Sequence, residues 1–132
     1  MVTRDASCSC GQLRLLVEGE PVRVSVCHCL ACKRRTGSAF SYNAHWPEGQ
    51  VETSGSASNW RRTNEGGFWC EYDFCPACGS TVTYRIERRP GIVSIPAGAF
   101  ADPTFPEPTV SVHGESRHKW CVVETEGPLN EM

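Results

Sequence analysis
The sequence predicts a mainly β fold, and three observations carry that prediction. Apolar residues recur at every second position in several stretches, which is the period of a half-buried strand. Twelve glycines and nine prolines are spread through 132 residues, as expected of many short strands joined by turns. No window shows the three-to-four spacing of a long amphipathic helix.

The elements follow in chain order. Leu13, Leu15 and Val17 share one face of a first strand, and Val22, Val24 and Val26 share one face of a second. Phe40, Tyr42, Ala44 and Trp46 make a third alternating run, and Phe68, Cys70, Tyr72 and Phe74 a fourth. Val82, Tyr84 and Ile86 continue the pattern, with short strands expected over Ile92 to Ile95, Val110 to Val112 and Trp120 to Val123. Turn residues separate these runs at Glu18-Gly19-Glu20-Pro21, Pro47-Glu48-Gly49, Glu65-Gly66-Gly67 and Arg89-Pro90-Gly91. One helical turn is expected, from Leu30 to Thr36, stopped by Gly37. Residues 1–123 read as a single domain, followed by an acidic, polar tail over 124–132 that is expected to fray.

Composition limits the function classes. Apolar residues make up 39% and charged residues 21%, an ordinary globular balance. The net charge of −2 offers no basic excess for a nucleic-acid partner. The first residues lack the apolar core of a secretory signal, and no run reaches membrane-spanning length. The expectation is a cytoplasmic protein with reduced thiols and no membrane partner.

Cysteine is the most informative residue type. Seven of the nine fall into Cys8-Ser9-Cys10, Cys27-His28-Cys29-Leu30-Ala31-Cys32 and Cys75-Pro76-Ala77-Cys78-Gly79. A disulfide framework is disfavoured by the odd count, the missing signal and spacings that would close only tiny loops. A redox Cys-x-x-Cys would need a βαβ setting, which the pattern lacks. Zinc fits better, because thiolates two or three residues apart reach one small cation together. A closed structural site takes four ligands, and an open catalytic one takes three. Seven is four plus three, so two zinc ions are expected. On an extended segment Cys8 and Cys10 would point to one face, while proline and glycine shape Cys75–Gly79 into a knuckle. In the central cluster Cys27 and Cys29 share a face, Cys32 returns one turn later, and His28 points away. Two readings stay open there: an open three-sulfur site, or a closed one completed by Cys70, Cys121 or His45.

Three thiolates leave zinc electron-rich, so its bound water would be less acidic than that of a histidine-ligated zinc. Such a site suits capture of a soft external thiol as its thiolate, beside which a small aldehyde would form a hemithioacetal.

Several of these segments in this order resemble the glutathione-dependent formaldehyde-activating enzyme family (Gfa / centromere protein V type). They are Cys8-Ser9-Cys10-Gly11, Cys27 to Cys32 running into Arg35-Thr36-Gly37-Ser38-Ala39-Phe40, and Phe74-Cys75-Pro76-Ala77-Cys78-Gly79-Ser80. Gly98-Ala99-Phe100-Ala101-Asp102-Pro103 and His118-Lys119-Trp120 complete the set. The resemblance implies an Mss4-like β-rich fold built around two zinc–sulfur centres. It implies that Cys8, Cys10, Cys75 and Cys78 hold a structural zinc, and that Cys27, Cys29 and Cys32 hold the catalytic one. It also implies a carbon–sulfur lyase, similar to an S-(hydroxymethyl)glutathione synthase, with a glutathione-like thiol and a formaldehyde-like aldehyde as partners. The alternative is a non-enzymatic zinc module of the same fold, serving as a binding protein or a thiol or metal reservoir. The extra Cys70 and the Phe100-Ala101 pair depart from the family pattern.

Lys33, Arg34 and Arg35 follow the central cysteines and are candidate contacts for the carboxylates of the thiol, or else form a solvated basic turn. Arg61 and Arg62 are a second, weaker pair of candidates. His28 and His45 read as hydrogen-bonded structural histidines before acid–base groups, the four tryptophans as core or cavity wall, and Cys70 and Cys121 as small buried hydrophobes. Nothing in the sequence sets the oligomeric state.

Overall fold
Two sheets, one short α-helix and three single-turn 3-10 helices, joined by loops, make up residues 2–132, the part of the chain described by the computed structural model. The smaller sheet is antiparallel, in the order β1 (Thr3–Ser7), β2 (Arg14–Glu18), β5 (Val51–Ser54). The larger has eight strands: β3 (Arg23–Cys27), β4 (Ser41–Pro47), β6 (Ser58–Thr63), β7 (Trp69–Phe74), β8 (Thr81–Ile86), β9 (Ile92–Pro96), β10 (Val110–Val112) and β11 (Asn130–Glu131). Their spatial order is β11-β10-β3-β4-β9-β8-β7-β6. β10 lies parallel to β3 and to β11, and the other pairings are antiparallel. The mainly β expectation therefore holds.

Register divides the large sheet into two chemically different faces. Val24 pairs with Ala44, Ala44 with Ile95, and Trp46 with Val93. Successive side chains alternate across a sheet, so these apolar residues share one face. They close on Leu15, Val17 and Ala6 of the small sheet, forming the core with Leu13, Phe100 and Phe105. Trp46 is fully buried and donates its indole N–H to the Gly19 carbonyl at 3.0 Å, so this large ring enters the core without an orphaned donor. The opposite face carries Ser25 against Asn43, Cys27 against Ser41, His45 against Ser94, and Tyr72 against both Trp60 and Tyr84.

The helix α1 (Leu30–Thr36) covers the expected residues. Cys29 caps its N-terminus, its sulfur accepting the Cys32 N–H, and Gly37 ends it in the left-handed region at φ 66°, a conformation glycine adopts without steric cost.

Four expectations need correction. Trp120 to Val123 is not a strand: Trp120 and Val122 are both 74% exposed and only Cys121 turns inward, so no partner strand recovers the backbone hydrogen bonds. Cys8 to Cys10 is a turn following β1, not an extended segment. The tail does not simply fray, because Asn130 and Glu131 pair with Val110 and Ser111 as β11. Trp60, at 55% exposed, and Trp120 are surface residues. The sequence pattern also missed β1, β5 and β6. Apart from Ala6 of β1, their residues are exposed or half-buried, so they lack the repeated apolar alternation that marks a strand with a buried face.

Candidate metal centres
Two knuckles of the same local form meet between the sheets. In the first, the Gly11 N–H donates to the Cys8 carbonyl at 3.1 Å and the Leu13 N–H to the Cys8 sulfur at 3.3 Å. In the second, the Gly79 N–H donates to the Cys75 carbonyl at 2.8 Å and the Ala77 N–H to the Cys75 sulfur at 3.4 Å. Gly11 and Gly79 adopt φ 85° and 82°, the left-handed conformation each turn requires. Backbone N–H groups directed at sulfur are what a thiolate needs, since they stabilise its charge.

The four sulfurs of Cys8, Cys10, Cys75 and Cys78 lie within 4.8 Å of one another. Cys8 to Cys10 measures 3.6 Å and Cys10 to Cys75 3.7 Å between sulfurs. A zinc–sulfur bond of about 2.3 Å in a tetrahedron sets the sulfur–sulfur edge near 3.8 Å. The donor set therefore fits zinc in chemistry and in size. Ser9 and Ser80 bridge the knuckles through their hydroxyls at 2.8 Å. Gln12 braces them from the side: its amide nitrogen donates to the Cys75 sulfur at 3.0 Å and to the Ser56 carbonyl at 2.7 Å. That bond from Gln12 is the main cause holding the Cys75 thiol low, and the Ser80 hydroxyl does the same for Cys78, lowering it to about 5.

The second cluster lies on the polar face of the large sheet. Cys27 ends β3, Cys29 caps α1, and Cys32 sits in the first turn of that helix. Their sulfurs also lie within 4.8 Å of one another, all half-buried, and among the described residues no fourth histidine, cysteine or carboxylate joins them. Hydrogen bonding from Cys27 and Cys32 holds the Cys29 thiol down to about 2. Cys27 is pushed up by its bonds to Cys29 and Cys32 and by burial. The three candidates for a fourth ligand are occupied elsewhere. His45 spans Ser25 at 3.0 Å and Ser94 at 2.7 Å, and Cys70 and Cys121 are buried singly outside the cluster. His28, flanked by two of the cysteines, is buried against Phe40 with ring centroids 5.5 Å apart.

A cationic and aromatic wall flanks this cluster. Tyr72 stacks on Trp60 and on Tyr84, with centroids at 5.9 and 5.6 Å. Arg35 lies over both tyrosine rings at 5.4 Å, and Arg62 donates to the Tyr72 hydroxyl at 3.2 Å. Burial disfavours the Arg62 charge, but its bond to the Tyr72 hydroxyl favours it, and its pKa is raised overall. Burial pushes the Tyr84 hydroxyl up. Among the described residues neither Arg35 nor Arg62 pairs with a carboxylate, and the Arg35 Nε is buried without a partner.

The basic run after the cysteines divides three ways. Lys33 is tethered to the Ser116 carbonyl, Arg34 points into solvent, and Arg35 turns onto the tyrosines. Arg61 and Arg62 face opposite sides of their strand, so Arg61 forms a surface ion pair with Glu71 at 2.7 Å. Tyr72 and Tyr84 were legible only as strand residues, because what makes them part of the wall is the β7–β8 register. The alternation Cys70-x-Tyr72, with Arg62 opposite Cys70, is the one local signal for it.

The family model of the glutathione-dependent formaldehyde-activating enzyme matches residues 3–116. No curated protein is significantly similar in sequence. A crystal structure of a Rhodobacter sphaeroides protein, determined as a structural-genomics target, is similar in fold: TM-score 0.60 at 17% identity, over 75% of this chain and 91% of that one.

Proposed function
The chain belongs to the glutathione-dependent formaldehyde-activating enzyme family, and from that premise we propose that it is a zinc-dependent lyase-type enzyme. The reaction joins a small thiol and a small aldehyde as an S-hydroxymethyl adduct, or separates them. The observation that supports this best is the three-sulfur cluster of Cys27, Cys29 and Cys32, which no fourth ligand among the described residues closes. It stands beside two arginines that no carboxylate neutralises. Zinc held there would be a soft Lewis acid with a position free for an external thiolate.

The chain's own residues supply the rest. The addition is balanced by itself: a sulfur–carbon bond forms, the carbonyl π pair moves to oxygen, and the thiol proton ends there. Nothing is oxidised or reduced. Arg35 and Arg62 carry fixed positive charge on a half-buried aromatic surface, which suits the carboxylates of a glutathione-like thiol. Tyr72 holds both guanidinium groups in place, one over its ring and one at its hydroxyl. Cys8, Cys10, Cys75 and Cys78 would hold the second zinc and tie β1 to β7. The thiols require a reducing compartment such as the cytoplasm.

The test pairs metal analysis with an assay of adduct formation, read above the spontaneous rate. Two zinc ions per chain are expected. Cys29→Ser is expected to remove one zinc and the thiol-dependent turnover. Arg35→Met, losing a charge-assisted contact, is expected to raise KM for glutathione about 10- to 100-fold while leaving both metals bound. Thiol-dependent turnover surviving in Cys29→Ser would refute the proposal. One zinc per chain that zinc addition does not change would support the non-enzymatic module instead.

A further inference from the structure
The two clusters are exposed in the opposite order to the roles proposed for them. Cys27, Cys29 and Cys32 are half-buried, whereas the four-cysteine site, which no substrate needs to enter, reaches the surface. Its two knuckles share one asymmetry. The first cysteine of each lies inside, Cys8 at 2% and Cys75 at 0% exposed, and the second, Cys10 or Cys78, is exposed.

Hydrogen bonding to the sulfurs is uneven as well. The Cys8 sulfur accepts the Leu13 N–H at 3.3 Å. The Cys75 sulfur accepts from the Gln12 amide at 3.0 Å and from the Ala77 N–H at 3.4 Å. Cys78 meets the Ser80 hydroxyl at 3.5 Å. Cys10 has the sulfurs of Cys8 and Cys75 as its side-chain partners, at 3.6 and 3.7 Å, and no side-chain nitrogen or hydroxyl braces it. A donor on a thiolate stabilises its charge, and burial keeps reagents away from it, so oxidation follows thiolate character and exposure. Both measures single out Cys10. The Cys75 sulfur, on the other knuckle, stands where a resolving cysteine is needed.

We propose that Cys10 is an oxidation site for hydroperoxides, and that its oxidation opens the four-cysteine centre through a disulfide to Cys75. It rests on the reading that Cys8, Cys10, Cys75 and Cys78 hold a zinc, and is independent of the thiol–aldehyde reaction. With hydrogen peroxide, the Cys10 sulfur attacks one peroxide oxygen. A sulfur–oxygen bond forms, the oxygen–oxygen bond breaks, and hydroxide leaves behind a sulfenic acid. The Cys75 sulfur then attacks the Cys10 sulfur, forming the disulfide and expelling a second hydroxide. The two thiolates lose two electrons, the peroxide gains them, and the hydroxides take protons from solvent to end as water. Cys8 and Cys78 alone cannot complete a four-ligand site, so the metal leaves, and a reducing thiol returns the chain to its starting state.

The test adds a small molar excess of hydrogen peroxide to the zinc-loaded full chain. A chromogenic chelator counts the zinc released, and mass spectrometry maps the oxidised cysteines after the remaining thiols are alkylated. Cys29→Ser, expected to keep the knuckle zinc alone, assigns the metal that is lost. Both proteins are expected to lose that one zinc as a Cys10–Cys75 linked peptide appears, ahead of any change at the central cluster. Dithiothreitol with added zinc is expected to reverse both changes. Oxidation that starts at any other cysteine, a Cys10 linked elsewhere, or knuckle zinc retained after Cys10 is oxidised overturns the proposal while the metal reading stands. A Cys29→Ser chain that is folded and binds no zinc overturns the metal reading and the proposal with it.

Discussion
Acid should destabilise this protein through His45 by an amount that the structure sets. The ring is 6% exposed and both nitrogens are engaged, by Ser25 and Ser94. Burial, reinforced by the charges of Arg89 and Arg23, lowers its pKa to about 3. In the unfolded chain the same group titrates near its ordinary value of about 6.5. Between those values the unfolded chain binds a proton that the folded one does not, so stability is full above about pH 6.5 and is lost as pH falls toward about 3. At about pH 5 the unfolded state gains roughly 1.5 pH units of proton binding at about 1.4 kcal/mol each, or about 2 kcal/mol. The figure depends on the unfolded value alone as long as the folded ring stays neutral at that pH. The perturbation is His45→Gln, which keeps an amide able to bond both serines and cannot titrate. Urea unfolding of both proteins near pH 8 and near pH 5 gives the comparison. The wild-type advantage should shrink by about 2 kcal/mol on acidification, with the other titrating groups common to both proteins. An advantage equal at the two pH values would refute the account, because His45 would then be buried as readily charged as neutral. The same reasoning removes His45 from the list of acid–base groups, since it holds no proton to give near neutrality.

Two further perturbations separate scaffold from site. Gly55 adopts φ +96°, and a Cβ there would lie 2.0 Å from the Gln12 carbonyl oxygen. Gly55→Ala should therefore cost about 3 kcal/mol or more by thermal or urea unfolding, and a loss under about 1 kcal/mol would mean that the Gln12 loop moves freely. Cys75→Ser should destabilise the fold by several kcal/mol, since a structural metal contributes its binding energy to folding. Cys29→Ser, at a half-buried site between elements already paired, should cost about 1 kcal/mol or less by the same measurement. Equal losses would mean that both clusters are structural.

The strands with a buried face, the single helix and the grouping of cysteines were all legible in the sequence. Each is a local pattern: alternation along β2, β3, β4 and β7, a glycine stop after Thr36, and sulfurs two or three residues apart. Local patterns fail where a strand buries one small residue or none, which is why β1, β5 and β6 went unseen, and where an apolar run has no partner, as at Trp120 to Val123. That Cys8 and Cys10 meet Cys75 and Cys78 was implied by family resemblance and not by spacing. The tertiary structure decides it, because contacts over more than sixty residues depend on how the two sheets close on their common core. Register decided the rest. It set Arg62 on the face of Tyr72, stacked Tyr72 on Trp60 and Tyr84, and placed Ser41 opposite Cys27. A shift of one residue would carry each of these side chains to the other face of the sheet. The chemistry available to this chain is thus written in its cysteine spacing, but the groups that surround those sulfurs are chosen by strand pairing.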